Sequence, residues 1–194
     1  MTLCSVRFVA VAWLLMSMVP ASHAESPVPV IPDIEVFDQE GRSHRFYTDL
    51  VKGKTVAINF LYTSCKTSCP AAAGLFSAVH HQVRADVRPQ LTLLSVSIDP
   101  RSDRPAQLKA FADKFGAGPG WMFLTGSQQS ITRLLLSLGV VVSNKADHSA
   151  VILVGNDAAG VWTRLYGQAS VPMVTAAVAS VAAAPTTLAG PFIP

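Results

Sequence analysis

The chain has 194 residues, 50% hydrophobic, 14% charged and 8% aromatic, with 12 Gly, 13 Pro, 3 Cys and a formal net charge of +3. That balance suits one domain with a real core, and it excludes a disordered chain, a collagen, a coiled coil or a disulfide-rich miniprotein. Lys and Arg total 15 and never form a run of five or more, which argues against nucleic acid as a partner.

Arg7 is the only charge ahead of an apolar run from Phe8 to Val19, and Ser22-His23-Ala24 follows as a small-x-small site before Glu25. This predicts an export signal over residues 1–24, cleaved after Ala24. The apolar run is shorter than the roughly 20 residues that span a bilayer, so membrane attachment would come only through an uncleaved signal. Cys4 precedes the run, where a lipid-attachment cysteine would not lie. Residues 25–33 read as a proline-rich linker, 34–185 as one folded domain and 186–194 as a flexible tail.

Within the domain, Ile34 to Phe37 alternates as a short strand, and Asp38-Gln39-Glu40-Gly41 makes a turn. Thr55 to Tyr62 is almost continuously apolar, as a strand buried on both faces should be, and it ends beside Cys65. Pro70 predicts a helix reaching about Asp86, with Cys69 at its N-cap and the proline at its first position. Leu91 to Ile98 is a second buried strand, and Asp103 is placed to cap a helix through Phe115. Trp121 to Leu124 predicts a strand and Ser127 to Leu138 a helix. Ser149 to Val154 and Val161 to Tyr166 form a hairpin, and Val174 to Ala184 a final helix. Strands alternating with helices, closed by a hairpin, imply an α/β sandwich with a mixed sheet.

Two thiols four residues apart, where a strand end meets a helix start, are the strongest chemical signal in the chain. A structural disulfide would suit an oxidising compartment, but closing so short a loop restricts the unfolded chain little. A helix N-terminus should favour the Cys69 thiolate, and Lys66 should add to that effect. Two thiolates suit Cu(I), whereas a closed zinc site needs more donors than these cysteines offer. A third ligand could be His44, His80, His81 or His148. His80 and His81 lie several helical turns from Cys69, and His44 follows a turn, where it reads as surface. His148 stands at the entry to the hairpin, with Asp147 able to orient its loop. Dithiol exchange stays open as an alternative, although the spacing differs from the two-residue gap of thioredoxin-type motifs.

Four blocks in order now resemble one family: Phe60-Leu61-Tyr62-Thr63-Ser64-Cys65-Lys66-Thr67-Ser68-Cys69-Pro70, Val96-Ser97-Ile98-Asp99-Pro100-Arg101-Ser102-Asp103, Trp121 to Gly126, and Asp147-His148-Ser149. Their order and spacing are similar to the SCO1/SenC family over roughly Pro32 to Gly167. The resemblance implies a thioredoxin-like fold that holds one copper ion through Cys65, Cys69 and His148. It implies an exported, periplasmic metallochaperone that delivers copper to a cytochrome oxidase subunit or another copper chaperone. It also implies the alternative of a thiol-disulfide oxidoreductase acting on copper-site cysteines, with Cys65 and Cys69 as the catalytic pair. Between its cysteines the family often carries a proline and an acidic residue, where this chain has Lys66-Thr67-Ser68. Loss of the acidic group disfavours Cu(II) more than Cu(I), which depends mainly on thiolate donation.

Overall fold

The computed structural model describes residues 29–83, 91–140 and 150–185. Its frame is two fully buried strands, β3 (Thr55–Leu61) and β4 (Leu91–Ser97), paired in parallel from Thr55↔Leu91 to Leu61↔Ser97. Near-continuous apolar sequence suits strands that are covered on both faces. β5 (Trp121–Leu124) extends the parallel side, while β6 (Val151–Asn156) and β7 (Val161–Tyr166) add an antiparallel hairpin. The sheet order is β5-β4-β3-β6-β7, the mixed sheet expected of a thioredoxin-like sandwich.

Helices cover both faces. α1 (Ser68–Gln82), α2 (Pro105–Lys114) and α4 (Val171–Ala182) bury Phe76, Leu108 and Val178 against Ala57, Leu61 and Leu93 on one side. The other side packs α3 (Gln128–Ser137) through Ile131 and Leu134, together with a short π-helical segment, Phe46–Val51, against Ile58 and Leu94. A small hairpin of β1 (Glu35–Phe37) and β2 (Ser43–Arg45) precedes that segment. Ser127, expected as the start of this helix, is its N-cap, its side chain accepting from the Ser130 N–H at 3.0 Å.

Several boundaries differ from the sequence reading. α1 begins at Ser68, so its N-cap is Thr67 rather than Cys69, and Pro70 is its third residue. The first turn of a helix has N–H groups without intrahelical partners, so proline is tolerated throughout it and does not mark its start. The helix ends at Gln82, and the expected end near Asp86 lies outside the described residues. The N-cap of α2 is Arg104, and Asp103 makes no cap. α4 starts three residues before the expected Val174, with a proline in its first turn. The export signal and the tail lie outside the described residues. Among those residues no helix is long and apolar enough to cross a membrane.

Gly155 faces Trp162 across the β6–β7 ladder, and a Cβ at Gly155 would lie 2.3 Å from two atoms of the indole. Trp162 is 2% exposed and fixed in the core, so the ring has little room to retreat. Gly155→Ala should therefore cost about 1–3 kcal/mol of stability, the usual scale of overpacking. A fall in the urea midpoint at unchanged slope would show it; an unchanged midpoint would mean that the hairpin relaxes freely.

Candidate metal centre

β3 delivers the chain to the site. After Leu61 it turns through Tyr62-Thr63-Ser64, and the Cys65 N–H closes that turn on the Tyr62 carbonyl at 3.2 Å. A buried carboxylate holds the turn in place. Asp103, with no solvent exposure, accepts from the Thr63 N–H at 3.1 Å, from the Thr63 hydroxyl at 2.6 Å and from the Ser97 hydroxyl at 2.6 Å. Ser97 ends β4, and its hydroxyl accepts from the Asp99 N–H at 3.0 Å. Asp103 thus ties the ends of two parallel strands together instead of capping α2, which corrects the local reading of its position.

Cys65 and Cys69 are both free thiols and both buried, at 6% and 1% exposure. The Cys69 N–H, in the first turn of α1, donates to the Cys65 sulfur at 3.4 Å. The Thr67 and Ser68 hydroxyls lie 3.7 Å and 3.8 Å from the same sulfur. Burial opposes charge on Cys65, but hydrogen bonds from the Cys69 thiol, the Cys69 amide and Thr67 outweigh it and lower its pKa to about 6. Cys69 goes the other way: burial, then its bond to Cys65, push it up to about 12.

The helix N-terminus therefore favours the Cys65 thiolate, reversing the expectation for Cys69. The reason is geometric, because the free amide of the first turn points at the sulfur outside the helix and not at the one within it. Lys66 is exposed, and the leading contributions come from Cys69 and Thr67 rather than from it. Tyr62 is a site residue that the sequence reading gave no role. Burial first, then a hydrogen bond to Cys65 and the nearby sulfur charge, raise its hydroxyl above the ordinary tyrosine value.

The candidate histidines separate clearly. His44 is not an idle surface residue, since its Nε2 lies 2.9 Å from Oδ2 of the fully buried Asp38, which Arg42 also contacts at 2.7 Å. His80 places Nε2 2.9 Å from the Pro119 carbonyl and its ring beside Trp121, which makes it a packing residue. His81 meets the His80 ring edge-on, about three helical turns from Cys69. Asp147, His148 and Ser149 lie outside the described residues. Among the described residues no three His, Cys, Asp or Glu side chains gather around a metal position. The structure brings Cys65 and Cys69 together, and the expected third ligand, His148, falls outside the described residues.

The sequence matches the SCO1/SenC family over residues 24–183. A Stutzerimonas stutzeri protein named as a candidate copper-binding protein is 33% identical over 110 residues, covering 57% of this chain and 52% of its own. The chain thus spans about half the length of the curated relatives it matches. Among solved structures, Arabidopsis thaliana ScoI with copper bound is 20% identical with a TM-score of 0.65, covering 77% of this chain and 95% of its own. A SCO1/SenC family lipoprotein from Bacillus anthracis is 22% identical with a TM-score of 0.69, covering 80% and 96% respectively. At these identities the likeness to the solved structures is one of fold.

Iodoacetamide should label the reduced protein at Cys65 first, at a rate that falls as the pH drops through about 6. Cys69, protonated up to about 12, should stay unlabelled at neutral pH. Thr67→Val removes one hydrogen bond to the thiolate and should move the inflection upward. Peptide mass mapping across the pH series checks both expectations, and preferential labelling of Cys69 would reverse the assignment of the two thiols.

Proposed function

The chain belongs to the SCO1/SenC family, and from that premise we propose that it is an exported copper carrier that holds Cu(I) on Cys65, Cys69 and His148. It passes the ion to a copper-accepting protein, a cytochrome oxidase subunit or another copper chaperone, for assembly of that protein's copper centre. The observation that supports this most is the thiol pair itself, with Cys65 in the loop ahead of α1, Cys69 in the first turn of that helix and the Cys69 amide on the Cys65 sulfur favouring its thiolate. Soft sulfur donors prefer Cu(I). The ion displaces the Cys69 proton when it binds, because ligating sulfur must be deprotonated. His148 enters through the Asp147-His148-Ser149 block, whose resemblance to the family supplies the third donor.

Three donors leave copper under-coordinated, so an incoming thiolate or thioether can attach before a carrier ligand leaves. Transfer then runs by stepwise exchange with no free ion released. Export rests on the Arg7 to Ala24 pattern and places the carrier in the periplasm, freed by cleavage or anchored by an uncleaved signal.

A second reading is favoured by the unequal thiols. In a thiol-disulfide reductase, the Cys65 thiolate attacks a partner disulfide and one partner sulfur leaves as thiolate. Cys69 then loses its proton and resolves the mixed disulfide, ending as a Cys65–Cys69 disulfide with the partner holding two thiols. That reaction has no need of His148.

The histidine therefore separates the readings. Reduced protein should bind one Cu(I) per chain, and Cys65→Ala or Cys69→Ala should each abolish tight binding in competition with a Cu(I) chelator. His148→Ala should weaken binding at least about tenfold, the scale of losing even an outer-shell partner, while disulfide reduction persists. Wild-type copper affinity and delivery in His148→Ala would remove it as a ligand and favour the reductase.

A further inference from the structure

We propose that the cavity beside the cysteine pair is a docking subsite for an extended peptide segment of the copper-accepting protein, read through the side-chain amide of Asn59. This rests on the carrier reading and adds to it the chemistry by which the acceptor is recognised. The cavity encloses about 280 Å³ between β3, the start of α1, β6 and the 167–169 segment. Asn59, Cys69, Ala72, Leu75, Ile152 and Ala169 line it, and among the described residues none of its lining is charged.

Asn59 is the informative member. It is 2% exposed, and both Oδ1 and Nδ2 are buried without a hydrogen-bond partner. Side chains alternate along a strand, so Asn59 shares a face with Ala57 and Leu61, which pack in the same cluster as Cys69 and Ala73 of α1. Its amide is thereby directed toward the layer in which the cavity and Cys69 lie. Buried polar groups are normally paired, and an orphaned amide on a residue that lines a cavity marks the group a ligand there would supply.

An Asn side chain offers a donor and an acceptor side by side, and the group complementary to both is another amide. A carboxylate would only accept, leaving the Oδ1 of Asn59 without a donor. A cation would only donate, leaving the Nδ2 of Asn59 without an acceptor. The apolar walls suit an aliphatic or thioether side chain next to that amide. Peptide provides both together, and the wall formed by Ser68 and Cys69 sets the entering segment against the copper donor. The acceptor's own sulfur ligand thus arrives with its backbone already paired, which lowers the entropic cost of ligand exchange.

The test uses the reduced full chain labelled for NMR and titrated with N-acetyl-methionine amide, a probe that carries two amides and a thioether. The side-chain NH2 of Asn59 and the Ile152 methyls should shift together and saturate, while 3-(methylthio)propanol, which lacks an amide, should bind at least about tenfold more weakly. Asn59→Leu should abolish the saturable shift of the Ile152 methyls, and Ala169→Leu, which narrows the cavity from the 167–169 segment, should abolish both shifts with Asn59 intact. Absence of a saturable Asn59 shift in wild type overturns the proposal, as does equal binding of the amide-free probe. Cu(I) stoichiometry measured on the same samples reports separately on the carrier reading. Both cavity variants should keep one Cu(I) per chain, and a wild type that binds the probe but no copper would sink the carrier reading alone.

Discussion

The geometry of the cysteine loop depends on one carboxylate that water does not reach. Asp103 takes the amide and hydroxyl of Thr63 and the hydroxyl of Ser97, and these bonds clamp the end of β3 to the end of β4. Strand pairing ends there, since the Ile98 N–H still reaches the Leu61 carbonyl at 2.9 Å but the chains then diverge. Without the clamp, the buried Ser97 hydroxyl and the half-buried amide and hydroxyl of Thr63 would lose their acceptor at the place where the chain must turn sharply into Cys65. Loss of the buried partner alone carries a desolvation cost of about 1–3 kcal/mol, so the turn and the Asp103 side chain hold each other in place. The sulfur position, the aim of the Cys69 amide and the difference between the two thiols all lie downstream of that constraint.

The site's place in the fold follows a general property of parallel sheets. Strands running side by side end on the same edge, and the loops that leave them converge there. β3 and β4 bring the cysteine turn and the Ser97 to Asp103 loop to that edge, and antiparallel β6 begins at it, with Ile152 opposite Asn59. Cavity, thiols and clamp are therefore neighbours because of topology, although their residues are spread from Asn59 to Ala169.

Much of this was legible in the sequence where the signal is local and repeated. Thr55 to Leu61 and Leu91 to Ser97 declare themselves by near-continuous apolar character, and Ser127 marks the start of the helix that follows it. Features that depend on a distant partner were not legible. Asp103 looks like the cap of the nearest helix because the sequence shows Pro105 two residues on and does not show Thr63, 40 residues back. His44 looks like surface because its carboxylate partner, Asp38, is brought to it only when the turn between β1 and β2 closes. Which cysteine is the anion could not be read from spacing, because it turns on the direction of a single amide. Asn59 was passed over as one polar residue in an apolar strand, and only the absence of any partner for its amide makes it informative.

The contact between Gly155 and Trp162 reaches beyond this one chain. An indole and a missing side chain fill a single volume here, so neither position can change freely while the other stays. A smaller residue at 162 would open space that a side chain at 155 could occupy, and a side chain at 155 first would meet the ring. The accessible evolutionary paths thus run through the tryptophan before the glycine, and among relatives that keep this hairpin the two positions should covary.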